Sequence, residues 1–184
     1  MDANTRPVQL IRENDRAYIT LNVVYYSLIV AAMIYVALVP SLQEALLAMT
    51  RKGLNRGVMK LVADAYTEGD TAMAMVLTFL VNLFLGTLLY ITLPSLIVPF
   101  SGIALGIGRA LLWGLLLSPA HDDFGWRMVP HFLTLLLEGQ AYILAMFAAY
   151  IHGRAFLQPR RVGANTHGEG YVIGLRYSLR ILAL

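Results

Sequence analysis

Four long apolar stretches dominate the chain, at residues 18–39, 71–93, 97–117 and 130–156, with polar segments between most of them. A bilayer core about 30 Å thick is crossed by about 20 helical residues rising 1.5 Å each. Each stretch meets that length. The pattern therefore predicts an all-α, polytopic transmembrane helix bundle of four spans, forming a single transmembrane domain over residues 1–184. The first stretch is uncharged, and its strongly polar member is Asn22. The second follows the acidic pair Glu68 and Asp70 and carries Asn82 and Gly86. The third holds one charge, Arg109. The fourth opens with Pro130, whose missing N–H costs nothing in a first helical turn, and carries His131, Glu138 and His152.

The connecting segments have patterns of their own. Residues 42–66 place Leu54, Val58, Leu61, Val62 and Ala65 at helical spacing among charges of both signs. This predicts an amphipathic helix, either a plain connector or one lying on the membrane surface. The segment PSLIVP between the second and third stretches has two prolines and no charge. Such a connection fits a broken-helix or re-entrant turn at or below headgroup level, where protein buries it. After the polar LQPRRVGANTHGEG comes a partial or interfacial C-terminal helix, residues 171–184, basic at first and apolar at its end. Its last four residues read as the opening of a further span in a longer chain.

Composition strengthens the membrane reading. Of 184 residues, 58% are hydrophobic and 14% charged, against about 45–50% and about 25% in ordinary soluble domains. A globule of this size cannot hide that excess from water, but lipid can receive it. The 14 basic residues against 11 acidic ones give a net charge of +3. They lie mainly between the apolar runs, without the basic, aromatic-interleaved face of a nucleic-acid binder. Arg6, Arg12, Arg16, Arg154, Arg160, Arg161, Arg176 and Arg180 share the N-terminal side of a four-span arrangement. Arg51, Lys52, Arg56, Lys60 and Arg127 share the other. The positive-inside rule then leans toward a cytoplasmic N-terminus. The polar first twenty residues do not resemble a cleaved signal peptide. With no cysteine, disulfides and thiolate chemistry are excluded.

Charges inside apolar spans cost about 2.5–3.5 kcal/mol each on insertion scales and usually face a bundle interior or cavity. Arg109 and Glu138 are the candidates, and an ion pair between the third and fourth spans is the simplest arrangement. Removing either partner alone should then hurt more than removing both. Glu138 reads equally as a structural partner or as a functional group. His131, Glu138 and His152, seven and fourteen residues apart, fall within about 60° on one helical stripe that should face protein. Their axial separations of about 10 Å and about 31 Å exclude a shared metal site on that helix, and no metal or other cofactor is expected. His131 and His152 otherwise suit the two interfacial ends of the span. Gly102 and Gly106, four apart with Gly108 beside them, let helix backbones approach closely in lipid. Gly86 fits the same use, and Asn82 suits an interhelical hydrogen bond or the wall of a polar path. No Ser–His pair, HExxH site or paired intramembrane carboxylates of a protease appear, so no catalytic residue and no enzyme are expected. His121, Asp122 and Asp123 suit a solvated loop.

Taken together, FLVNLFLG with Asn82 and Gly86, Pro94, SGIALGIG with Gly102 and Gly106, and VPHFLTLLLEGQAYILA with Pro130, His131 and Glu138 form a pattern. It resembles the stage II sporulation protein M family of integral membrane proteins. The resemblance covers about half the chain, though Glu138 lies seven residues after His131 where family members tend to have it one turn on. It implies a multi-span plasma-membrane protein without known catalytic activity, acting as a scaffold or as a subunit tied to export machinery. Two roles follow as expectations. One is a non-enzymatic scaffold or complex subunit whose partners are the bilayer and other membrane proteins or its own copy, with no nucleic acid. The other is a transporter or channel subunit with Asn82, Arg109 and Glu138 along a polar path.

Overall fold

A computed structural model describes residues 6–54, 56–120 and 129–184; the side chains of Leu54, Tyr66, Thr71, Val129, Pro130, His131 and Thr134 lie outside that description. The His121–Asp122–Asp123 loop is outside it altogether. Among the described residues the fold is all helical. The helices are α1 (Pro7–Glu13), α2 (Asp15–Leu38), α3 (Pro40–Leu54), α4 (Gly57–Thr67), α5 (Thr71–Val81), α6 (Leu93–Ile97), α7 (Ser101–Leu116), α8 (Val129–Leu157) and α9 (His167–Leu182). A π-helical segment, Asn82–Thr92, joins α5 to α6 without interruption.

Three of these helices are long and apolar enough to cross a membrane: Asp15–Leu38, Ala72–Ile97 and Leu135–Leu157. The sequence pattern predicts four spans, and its third stretch instead forms the shorter apolar helix α7 of 16 residues. At 1.5 Å per residue α7 is about 24 Å long, less than the hydrocarbon core. The reason lies at its start. Pro94–Ile97, expected as part of the connection, continues the preceding helix, and the chain turns only over Val98, Pro99 and Phe100. Phe100 takes a left-handed backbone, φ 66°, a conformation that costs a bulky residue roughly 1–2 kcal/mol. Its ring compensates by packing where a side chain on Gly153 would stand and by facing Tyr150 at 6.4 Å between centroids.

Residue pairs along the helices set their directions. Asn14 meets Arg154 while Tyr26 meets Leu136, so α2 and α8 are antiparallel. Gly102 lies against Ala149 and Gly106 against Met146, so α7 also opposes α8. Asn82 meets Glu138, and Ile91 meets the start of α7 at Gly102. The helix through Ala72–Ile97 therefore runs alongside α8 in the same direction. The core where these helices converge is centred on α8, with Tyr142, Ile143, Met146 and Phe147 at 0–1% exposure.

One expectation for the connecting segments changes. The amphipathic stretch 42–66 is two helices, α3 and α4. The break falls before Gly57, whose φ of 57° a residue with a Cβ rarely adopts. Buried Gln43 of α3 donates to the carbonyls of Leu116 (3.2 Å) and Ser118 (3.1 Å). It thereby satisfies acceptors that the end of α7 leaves open. Gln43→Leu should strand both and lower stability by on the order of 2 kcal/mol, readable as a lower Tm in detergent.

The C-terminal segment forms a helix that packs one face on the bundle. Thr166 caps α9 by accepting from the Glu169 N–H at 3.2 Å. The helix then folds back antiparallel along α8 and buries Gly170, Gly174, Tyr177, Ser178 and Ile181. Gly170 rests on the Ala155 backbone, Gly174 on the His152 backbone, and the Ser178 hydroxyl donates to the Ala148 carbonyl at 2.8 Å. Gly170 and Gly174 are a small-residue pair four apart, the same signal that Gly102 and Gly106 carry.

Candidate functional site: a polar network between three helices

Asn82 opens the π-helical segment, Arg109 sits in α7, and Glu138 and Tyr142 lie one turn apart on α8. The fold brings all four together. The Asn82 amide nitrogen donates to Glu138 Oε1 at 2.9 Å. Its oxygen accepts from the Tyr142 hydroxyl at 3.0 Å and from Arg109 Nη2 at 3.4 Å. Arg109 Nη2 also donates to the Tyr142 hydroxyl at 2.6 Å. Its guanidinium lies 4.4 Å from the Tyr142 ring centroid and 5.4 Å from that of Trp113.

The expected direct ion pair is thus a relayed one. Asn82 stands between the two charges with one end of its amide turned to each, a neutral side chain that donates at one end and accepts at the other. A hydrogen bond to a charged group contributes about 1.5–3 kcal/mol, more than a neutral one. Asn82, Arg109 and Glu138 are each partly exposed, and Arg109 Nε has no hydrogen-bond partner among the described residues.

The glycines expected to pack helices are the ground this network stands on. A Cβ at Gly86 would meet the Tyr142 hydroxyl at 3.0 Å and Arg109 Nη2 at 3.4 Å, so a larger residue there would press on that pair. At Gly102 it would meet the Ile91 carbonyl at 2.7 Å, and at Gly106 it would run into Met146. Gly108 faces open space, so it takes no part in close packing.

Of the three residues on the α8 stripe, Glu138 joins the network and the His131 side chain lies outside the described residues. His152 is buried within the protein. It is 1% exposed, between α8 and α9, with its ring edge-on to Tyr171 at 4.6 Å. The Ser95 backbone is close enough to interact with the ring but outside hydrogen-bond geometry.

A second polar cluster joins α2 to α8. The Tyr18 hydroxyl donates to Gln140 Oε1 at 2.9 Å, and Gln140 Nε2 donates to Asn22 Oδ1 at 2.8 Å and to the Tyr26 hydroxyl at 3.0 Å. Tyr26 in turn donates to the Leu136 carbonyl at 2.9 Å. Sequence reasoning missed Gln140 and Tyr142 as members of either cluster. Their signal was present in the run of Glu138, Gln140 and Tyr142, which puts Glu138 and Tyr142 on one face of the helix and Gln140 on the opposite one. Among the described residues no group of three or more His, Asp or Glu side chains could hold a metal ion. Comparison with family models, curated proteins and solved structures returns no match.

Proposed function

We propose that this chain is a non-enzymatic integral membrane protein serving as scaffold or subunit of a membrane complex, the role implied by its resemblance to stage II sporulation protein M. The observation that carries this reading is a mismatch within one helix. Ala72–Ile97 has only 17% of its most apolar window buried, yet it contributes Asn82 to a charged network. A partly exposed carboxylate and guanidinium within apolar spans are costly beside lipid alone, and a second protein surface would cover them. Other membrane proteins or a further copy of the chain suit that edge. In this reading α7 completes a fourth crossing, the N-terminus is cytoplasmic and the membrane is the plasma membrane.

Glu138→Gln tests the docking edge selectively. Glutamine keeps an oxygen to accept from Asn82 and removes only the charge, so the chain's own Tm should stay within a few degrees. The complex extracted in native nanodiscs should lose its partner or dissociate to the single chain, as read by mass photometry. An unchanged assembly would discard the role given to Glu138.

A polar path through a transporter or channel subunit is the second reading. It is favoured by the π-helical segment, since such segments often mark functional sites. Here Glu138→Gln should abolish liposome flux that the parent chain supports. Absence of flux from both removes this alternative.

A further inference from the structure

Away from the Asn82 network, where α2 begins and α8 ends, a pocket of about 150 Å³ opens on the surface. Glu13, Asn14, Arg154 and Arg161 supply its polar lining, and Ile151 and Ala155 its apolar floor. Its level is set independently by the spans. The helix Asp15–Leu38 starts at this pocket and Leu135–Leu157 ends at it, which is where lipid headgroups lie against a crossing helix.

The two arginines are held differently. Arg154 is tethered: its Nη1 donates to Asn14 Oδ1 and, at 3.3 Å, to the Tyr150 hydroxyl. Asn14 is itself fixed by donating to the Leu10 carbonyl at 2.9 Å. Arg161 is exposed and projects from the tight turn Pro159–Val162, which closes on Gly163 at φ 76°. A guanidinium offers five donors in a fixed fork suited to phosphate oxygens, so tethering one edge of Arg154 leaves donors for a ligand. Glu13 adds a carboxylate, with Oε1 already accepting from Gln9 at 2.8 Å. Two cations and one anion around one pocket match a ligand that carries both a phosphate and a cationic amine.

We propose that this pocket binds the phosphoethanolamine headgroup of a membrane phospholipid, with Arg161 and Arg154 on the phosphate and Glu13 on the ammonium. The apolar floor receives the glycerol end, and the acyl chains continue along the lipid-facing side of α2 and α8. This inference depends on the membrane reading of the three long helices and not on the partner role of Glu138.

The test uses the purified full chain, stripped of lipid in detergent and titrated with phosphatidylethanolamine or phosphatidylglycerol, with bound lipid counted by native mass spectrometry. Phosphatidylethanolamine should be retained several-fold better. Arg161→Ala should weaken retention of both lipids about tenfold, the effect of losing one charge-assisted contact. Glu13→Gln keeps an oxygen for Gln9 and should erase the preference for ethanolamine while sparing phosphatidylglycerol. Equal retention of the two lipids by the parent chain, or no change in either variant with circular dichroism intact, would overturn the proposal. Soluble phosphoethanolamine binding as tightly as the lipid would overturn the membrane source of the headgroup.

Discussion

Gly114→Ala should separate α7 from α2 and lower stability by about 3 kcal/mol, the upper part of the range for an overpacked core. A Cβ there would run into the Ile29 carbonyl and the Ala32 side chain of α2. The first of these is backbone, which cannot swing aside as a side chain can, so one helix must move. That shift would also disturb Ser118 at the end of α7, whose hydroxyl donates to the Met33 carbonyl at 3.2 Å. Gly108→Ala, on the same helix with open space around its Cα, is the control and should be neutral or slightly stabilising. Thermal unfolding of both variants in one detergent decides the matter. If the two glycines respond alike, α2 and α7 do not approach as closely as Gly114 implies.

Asn82→Leu should produce the second large loss, on the order of 2–3 kcal/mol. Leucine removes the donor to Glu138 and the acceptor for Arg109 and Tyr142 together. Two charged side chains are then left within the bundle without the group that joined them. Because the cost falls mainly on a carboxylate that has lost its donor, it should not add to the loss of the carboxylate itself. The double variant Asn82→Leu/Glu138→Leu is therefore expected to be less destabilised than the sum of its singles, by about 1 kcal/mol or more. Strict additivity in a chemical unfolding titration would show that the relay contributes nothing as a unit.

Both predictions turn on helix contacts, and these were unevenly legible in the residue string. The predominantly apolar runs at 18–39 and 130–156 declare themselves through length, since they match what a helix needs to cross a bilayer. Gly102 and Gly106 were legible through spacing, because four residues bring two small side chains to one face of a helix. Gly170 and Gly174 have the same spacing, but the polar HGE that precedes them and the arginines at 176 and 180 disguise α9 as a surface helix. Its opposite face buries Tyr177 and Ile181, and only packing against α8 reveals which face prevails.

The Arg109–Glu138 association shows the same division. Rarity of charge inside apolar stretches marked both residues, and the cost of leaving either alone in lipid required a partner. The identity of the go-between could not be read off. Asn82 lies 27 residues from Arg109 and 56 from Glu138, and nothing in linear spacing ties separate helices to a common depth. That depth follows from how far Ala72–Ile97 extends beyond Pro94 before the chain turns at Phe100. It depends too on the fit of Phe100 against Gly153, a contact between distant residues.

The amino-acid sequence alone determined that this chain is helical and apolar enough for a membrane. It also marked which charges would need company there, because hydrophobic burial and desolvation cost are properties of each side chain wherever it lies. The tertiary structure decided how the helices register, that α7 is short, that α9 folds back on α8, and that an asparagine joins the two charges. Those outcomes depend on steric fit between segments far apart in the chain, and close packing distinguishes arrangements that hydropathy counts as equal.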